Sequence, residues 1–182
     1  MAPSPTVSLP VPFFSQLDPS DGPEGWRQCQ TSSIAMALAY LKVPGIVDDT
    51  DYLAIVRSIG DTTAAETHRR ALASLKAPAT FRQNMGVNDL KACLLRRQPV
   101  AIGILHRGPV TRPSGGGHFV IVTGYDARGW LVHDPYGELD LVAGGWARTG
   151  NGSGRGQHYS FRNTNPRWLV EGPRSGWGWT FP

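Results

Sequence analysis

GGHFVIVTGYDARGWLVHDPYG, residues 116–137, is the stretch on which the reading of the chain turns. Phe119–Tyr125 and Trp130–His133 are runs of β-branched and aromatic residues, and the Asp-Ala-Arg-Gly between them is turn-forming, so two neighbouring antiparallel strands are expected. His118 opens the first strand and Asp134 closes the second, so the carboxylate can reach the far nitrogen of the imidazole ring. Ser114-Gly115-Gly116-Gly117 precedes the histidine, and glycines there remove side chains that would keep another backbone away from the ring. Each residue also has an ordinary structural role open to it: a surface position for His118, and the Asp-Pro turn of Asp134-Pro135.

Upstream of this pair the texture is helical. Cys29–Lys42 carries Ile34, Leu38 and Leu41 on one stripe with Ala35 and Ala39 beside it, and Pro44-Gly45 stops it. Further helices are expected at Asp51–Ser58, at Ala64–Lys76 with Thr63 and Glu66 in capping-box spacing, and at Val87–Arg97 before Pro99. Strands are expected at Val100–Leu105, Glu138–Val142, Tyr159–Arg162, Arg167–Val170 and Trp177–Phe181. Pro3, Pro5 and Pro10 make residues 1–10 an extended arm leading into a short strand around Val11–Phe14, and Asp18–Gly25 reads as a turn-rich loop. Helices followed by an antiparallel sheet give an α+β fold, expected as one domain over 1–182 that closes with basic, Trp-rich strands over 143–182.

Composition bounds the function. The 182 residues are 40 % hydrophobic and 18 % charged, with 22 Gly and 15 Pro, which excludes a disordered chain and a coiled coil. No run approaches the roughly 18 apolar residues of a membrane span, and MAPSPTVSLPVPFF lacks the basic and apolar regions of a signal peptide. Synthesis in the cytoplasm is expected, with action on a bacterial cell wall open. Residues 1–140 hold 13 Lys/Arg against 13 Asp/Glu, so the formal net charge of +4 comes from 141–182, where five Arg face Glu171 alone. Trp146, Trp168, Trp177 and Trp179 share that segment, which suits either an anionic polymer as partner or strands with solvated arginines. No nucleic-acid motif accompanies the arginines.

Two cysteines are too few for a disulfide scaffold, leaving a thiolate nucleophile as a possibility to weigh. Cys29 stands at the first turn of its helix, where free backbone N–H groups and the helix dipole favour an anionic sulfur, and the Gly/Pro-rich loop before it leaves it exposed. Cys93 lies on the apolar stripe of another helix, the setting of a small buried hydrophobe. A base for Cys29 must come from His68, His106, His118, His133 or His158, of which His118 has the most suggestive surroundings. His68 is expected on a solvated helix face beside Arg69 and Arg70, and His106 beside the cleft.

Cys at a helix start, a glycine-preceded His on a strand and an Asp at the end of the next strand resemble the C39-like cysteine peptidases of the papain-like fold, in the branch found in bacterial and phage proteins. VPFFSQLDP (11–19), CQTSSIAMALAYL (29–41), GGHFVIVTGYD (116–126) and WLVHDPYG (130–137) carry the resemblance. It implies Cys29 as nucleophile, His118 as base, Asp134 as the acid orienting the base, and Gln16 as oxyanion donor. Trp26, Gln28 and Gly117 become candidate substrate contacts, and no metal or other cofactor is called for. The long loop from Gln16 to Cys29 and the Gln30 that follows Cys29 depart from the family pattern. The implied activity is amide hydrolysis in a peptide, with peptidoglycan as substrate in the manner of a phage endolysin. Two alternatives stand beside it: a zinc-dependent amide hydrolase built from His118, Asp126 and His158, and a non-catalytic wall-binding phage module.

Overall fold

The computed structural model describes residues 6–150 and 152–182. Its centre is helix α1, Cys29–Tyr40. Ile34, Ala35, Met36, Ala37 and Leu38 are all fully buried, because this helix offers no continuous polar stripe and must be surrounded. Burying side chains the size of Ile34, Met36 and Leu38 contributes roughly 1.5–3 kcal/mol each. Around α1 lie α2 (Asp49–Ile59), α3 (Ala65–Ser74) and α4 (Val87–Leu95). Asp48 caps α2 by accepting from the Asp51 backbone N–H at 3.2 Å, while the Asp51 carboxylate accepts from the Asp48 N–H at 3.3 Å.

The strands are β1 (Val7–Ser8), β2 (Thr80–Met85), β3 (Val100–Ile104), β4 (His118–Tyr125), β5 (Gly129–His133), β6 (Gly137–Leu139), β7 (Trp146–Thr149), β8 (Gln157–Ser160) and β9 (Gly176–Thr180). The main sheet is antiparallel in the order β2-β9-β3-β4-β5-β8, with β1 added to β4, and β6 pairs with β7 apart from it. Gly124 is where β1 crosses β4, and a Cβ there would meet the Val7 carbonyl oxygen at 1.9 Å. This is an α+β fold with helices packed on an antiparallel sheet, as the sequence led us to expect. Helix α1 lies directly against β4, bringing the start of the helix to the end of the strand that begins with His118.

Several local expectations are corrected. The strand expected at Tyr159–Arg162 is realised only at Tyr159 and Ser160, the end of β8, and residues 161–168 form helix α5 in place of its remainder and of the strand expected at Arg167–Val170; Thr164 and Trp168 point inward at helical spacing, and the internal Pro166 hid that pattern. Thr63 does not cap α3, since its N–H and hydroxyl both bond Asp61 Oδ1, at 2.7 and 2.6 Å, in a side-chain turn. The N-terminal strand is Val7–Ser8, not Val11–Phe14, where Pro10 and Pro12 supply no N–H to a ladder. The first five residues of the expected arm lie outside the described residues. β2 and β7 were not read from the sequence because both are mostly polar edge strands. His68 is fully buried, not solvated: Tyr52 Oη lies 3.0 Å from Nδ1 and the Thr62 carbonyl 2.8 Å from Nε2. Burial lowers its pKa to about 4, so it is neutral.

The C-terminal segment adds large aromatic side chains to the core. Trp168 and Trp179 are fully buried, and Trp168 Nε1 donates to the Trp177 carbonyl at 3.1 Å. Arg148 pairs with Glu138, Arg174 with Asp89, and Arg155 lies over the Phe13 ring. Among the described residues no helix is long and apolar enough to cross a membrane.

Candidate active site

Cys29 is the first residue of α1 and follows a short 3-10 turn, Gly25–Arg27. At that position its backbone N–H has no intrahelical acceptor. Gly25 permits the tight approach, since a Cβ on it would lie 2.3 Å from the Gln16 carbonyl oxygen. His118 opens β4 opposite Ile104 of β3. Pairing of Ile121 with His133, continued one step, sets Asp134 opposite Val120, on the sheet face that His118 shares. His118 Nε2 donates to Asp134 Oδ1 at 2.7 Å, and both side chains are shut away from water. Its other ring nitrogen is left for Cys29, whose thiol is close enough to hydrogen-bond the imidazole.

Electrostatics favour the charged ring. Burial by itself depresses the His118 pKa, but the Asp134 charge and hydrogen bond, joined by the contact with Cys29, outweigh it and push the value up to about 10. Asp134 is itself fully held. Its Oδ1 also accepts from the Tyr136 N–H at 3.0 Å and the Gly137 N–H at 3.4 Å, and its Oδ2 accepts from the Tyr159 hydroxyl at 2.8 Å.

These groups lie at a cleft of about 340 Å³ whose helix side presents Trp26, Arg27, Cys29 and Gln30 and whose sheet side presents His106, Arg107, Gly116, Gly117, His118 and Phe119. Tyr136 and Trp146 form an aromatic wall, with the Trp146 ring edge-to-face on His118 at 4.8 Å and tilted against Tyr136 at 4.5 Å. His106 lies against Trp146 at 5.9 Å, and burial, reinforced by the His118 charge, lowers its pKa. The segment around His106 and the chain that leads to Trp146 are tied down by Arg167, which is fully buried on α5. Its guanidinium donates to the carbonyls of Leu141 and Leu105, both at 2.9 Å, Arg107 at 3.2 Å and Gly108 at 2.8 Å.

Of the sequence-derived candidates, Cys29, His118 and Asp134 come together, and Trp26 and Gly117 line the same cleft. Two do not line it. Gln28 is buried, with its side-chain oxygen accepting from the Thr31 hydroxyl at 3.2 Å, because a residue just before a helix folds back on the first turn. Gln16 is buried too, and its amide donates to the Gly25 carbonyl at 2.9 Å while its backbone N–H bonds the Pro135 carbonyl at 3.0 Å. That glutamine braces the cysteine loop against the aspartate turn. Trp146, Tyr136, Tyr159 and Arg167 were missed as site residues, and for Trp146 only its place among the C-terminal tryptophans singled it out. Among the described residues no three His, Cys, Asp or Glu side chains converge as metal ligands. His158 pairs with Asp126 at 3.1 Å, and His118 is committed to Asp134.

A family model described as the peptidase C39-like family matches residues 8–152. Among solved structures, a C39-like peptidase from Bacillus anthracis is similar at a TM-score of 0.64 and 16 % identity, over 98 % of each chain. A double-glycine-motif protease from an AMS/PCAT transporter, solved with a leader peptide, is similar at a TM-score of 0.55 and 15 % identity, over 99 % of this chain and 97 % of its own. No curated protein matches the sequence significantly.

Proposed function

The chain belongs to the C39-like peptidase family, and from that premise we propose that it is a cysteine endopeptidase working through Cys29, His118 and Asp134, with the peptide part of peptidoglycan as substrate. The observation carrying the reading is the 2.7 Å bond from His118 Nε2 to a fully buried carboxylate, which leaves the opposite nitrogen facing Cys29. An imidazolium there stabilises an anionic sulfur beside it.

In the reaction, the Cys29 sulfur bonds to the amide carbon and the carbonyl electrons move to oxygen. The Cys29 N–H at the head of α1 is the donor we assign to that oxyanion. Gln16, which the family resemblance offers for this role, spends one of its two amide hydrogens on the Gly25 carbonyl, and the second is the one that could join it. Collapse breaks the C–N bond, and His118 gives its proton to the departing amine. Water then attacks the thioester while His118 takes up the water's proton, and the acid product leaves with the thiolate–imidazolium pair restored.

The wall substrate draws support from the cleft lining. Trp26 is 65 % exposed at the rim, Trp146 and Tyr136 add further aromatic rings, and the lining carries the His118 ring, Arg107 and Arg27, the last paired with Asp61 at 2.9 Å, with no carboxylate among the lining residues. Rings and cations suit a sugar-bearing, carboxylate-rich peptide. Purified protein is incubated with peptidoglycan sacculi and the released fragments are identified by mass spectrometry. Turnover is expected for the wild type and Cys93→Ala and lost in Cys29→Ala and His118→Ala, with iodoacetamide inhibiting and chelators without effect. Cys29-dependent cleavage of a general peptide library with intact sacculi would overturn the substrate, and retained turnover in Cys29→Ala would overturn the mechanism.

A further inference from the structure

Asp134 Oδ1 has three donors, but Oδ2 has one partner among the described residues, the hydroxyl of Tyr159. Tyr159 is 2 % exposed and fixed in β8 by pairing with Trp130 of β5. The same hydroxyl accepts from the Leu139 N–H at 3.3 Å, which directs its own proton at the carboxylate. The chain arriving at β8 is also locked on Asp134: the Asp134 N–H donates to the Gly154 carbonyl at 2.9 Å, and a Cβ on Gly154 would lie 1.8 Å from the Asp134 carbonyl oxygen. Tyr159 and Gly154 lie beyond the residues matched by the family model, which end at 152.

We propose that Tyr159 is a positioning residue of the active site: by holding Oδ2 it fixes the rotation of the Asp134 carboxyl group and keeps Oδ1 in line with His118 Nε2. This rests on the triad reading above. A carboxylate held through one oxygen can rotate about its Cβ–Cγ bond, and a charge-assisted hydrogen bond weakens steeply as it leaves alignment. Tyr159 itself stays a neutral donor, because burial, then the Asp134 charge, push its pKa well above the ordinary value.

The titration of the His118 ring tests this. The titratable groups facing the pair are Cys29 from α1, His106 from the loop after β3, Tyr136 on the aspartate turn, Tyr159 from β8 and Glu138 from β6. The midpoint of His118 is followed by ¹H–¹⁵N spectra of the imidazoles in the full chain, for the wild type, Tyr159→Phe and Tyr52→Phe. Tyr52→Phe also loses a buried hydroxyl bonded to a histidine, His68, but Tyr52 is not bonded to any triad residue and does not line the cleft, so it controls for lost stability. In Tyr159→Phe the His118 midpoint is expected to fall by about one to two pH units, the equivalent of one hydrogen bond to a charged group. It should stay in place in Tyr52→Phe. A hydroxyl that merely drew charge from Asp134 would raise the midpoint on removal, and a midpoint unmoved or raised overturns the proposal. p-Aminophenylalanine at 159, which restores a donor, should bring the midpoint back; a fallen midpoint in that variant overturns the proposal even where Tyr159→Phe fails to fold. Turnover should drop in kcat with KM held, because Tyr159 does not line the cleft. If Cys29→Ala still turns over, the triad reading fails; if Cys29 is essential and the midpoint does not fall, only the role of Tyr159 fails.

Discussion

Replacing Asp134 by Asn removes one negative charge and leaves the shape of the turn almost intact. Asn Oδ1 can still accept from His118 Nε2 and from the Tyr136 N–H, as the carboxylate does. What changes is the balance on the imidazole, where burial alone drives the pKa down and the Asp134 charge is the main force raising it to about 10. Without that charge, burial wins and the His118 midpoint should fall below the ordinary value of about 6.5. At pH 8 the imidazolium fraction then drops from about 99 % to about 3 % or less, a loss of roughly 30-fold or more in the charged pair. Turnover at pH 8 should fall at least in proportion. Stability changes with a definite sign: a raised histidine pKa stabilises the fold fully below about pH 6.5, and that contribution is lost as pH rises through about 10. Chemical denaturation from pH 6 to 10.5 should therefore show a stability difference between wild type and Asp134→Asn that shrinks across this window. Imidazole titration by ¹H–¹⁵N spectra reads the midpoint directly. A His118 midpoint that stays near 10 in Asp134→Asn would refute the electrostatic account.

Arg167→Met strips four carbonyls of their donor in a buried site. At about 1–3 kcal/mol for each orphaned group it should cost at least 4 kcal/mol and lower Tm by roughly 8–16 °C, read by circular dichroism. Arg167→Lys, with no planar fork, should recover only part of that loss. Asp49 is buried against Ser32, and burial raises its carboxyl pKa, so its ionised form weakens the fold as pH rises above about 3.8. Asp49→Asn should consequently raise the urea midpoint at pH 7, with the gain vanishing near pH 3. Gly154→Ala sets a methyl 1.8 Å from the Asp134 carbonyl oxygen. The displaced triad should lose on the order of 100-fold in kcat/KM, measured on whichever peptide substrate the wild type cleaves.

The three residues proposed as a triad were legible because each carries a local signal: Cys29 a helix start after a turn-rich loop, His118 a glycine run before a strand, Asp134 a strand end. Gln16 was offered as oxyanion donor by the family resemblance and Gln28 as a substrate contact by its place beside Cys29; the amide nitrogen of Gln16 bonds the Gly25 carbonyl, and Gln28 bonds Glu24 and Thr31, within the loop that shapes the cysteine turn. Tyr159 and Arg167 carried no signal at all. Their roles depend on which carboxylate or carbonyl the folded chain sets beside them, and β8 and α5 acquire those neighbours only through the sheet. His68 misled for a related reason, since flanking arginines mark one face of α3 and the histidine occupies another. Pro166 masked α5 by interrupting a helix too short to advertise its period.

β9 lies between β2 and β3, although it follows both in the chain by some seventy residues or more. During synthesis from the amino terminus, β2 therefore emerges with no strand to join and waits until β9 has left the ribosome. The sulfur and the imidazole are both translated long before Tyr159, Arg167 and β9 arrive to hold their surroundings in register. On the reading proposed above, the reactive groups of a nascent chain precede the residues that hold them, and the sheet closes last.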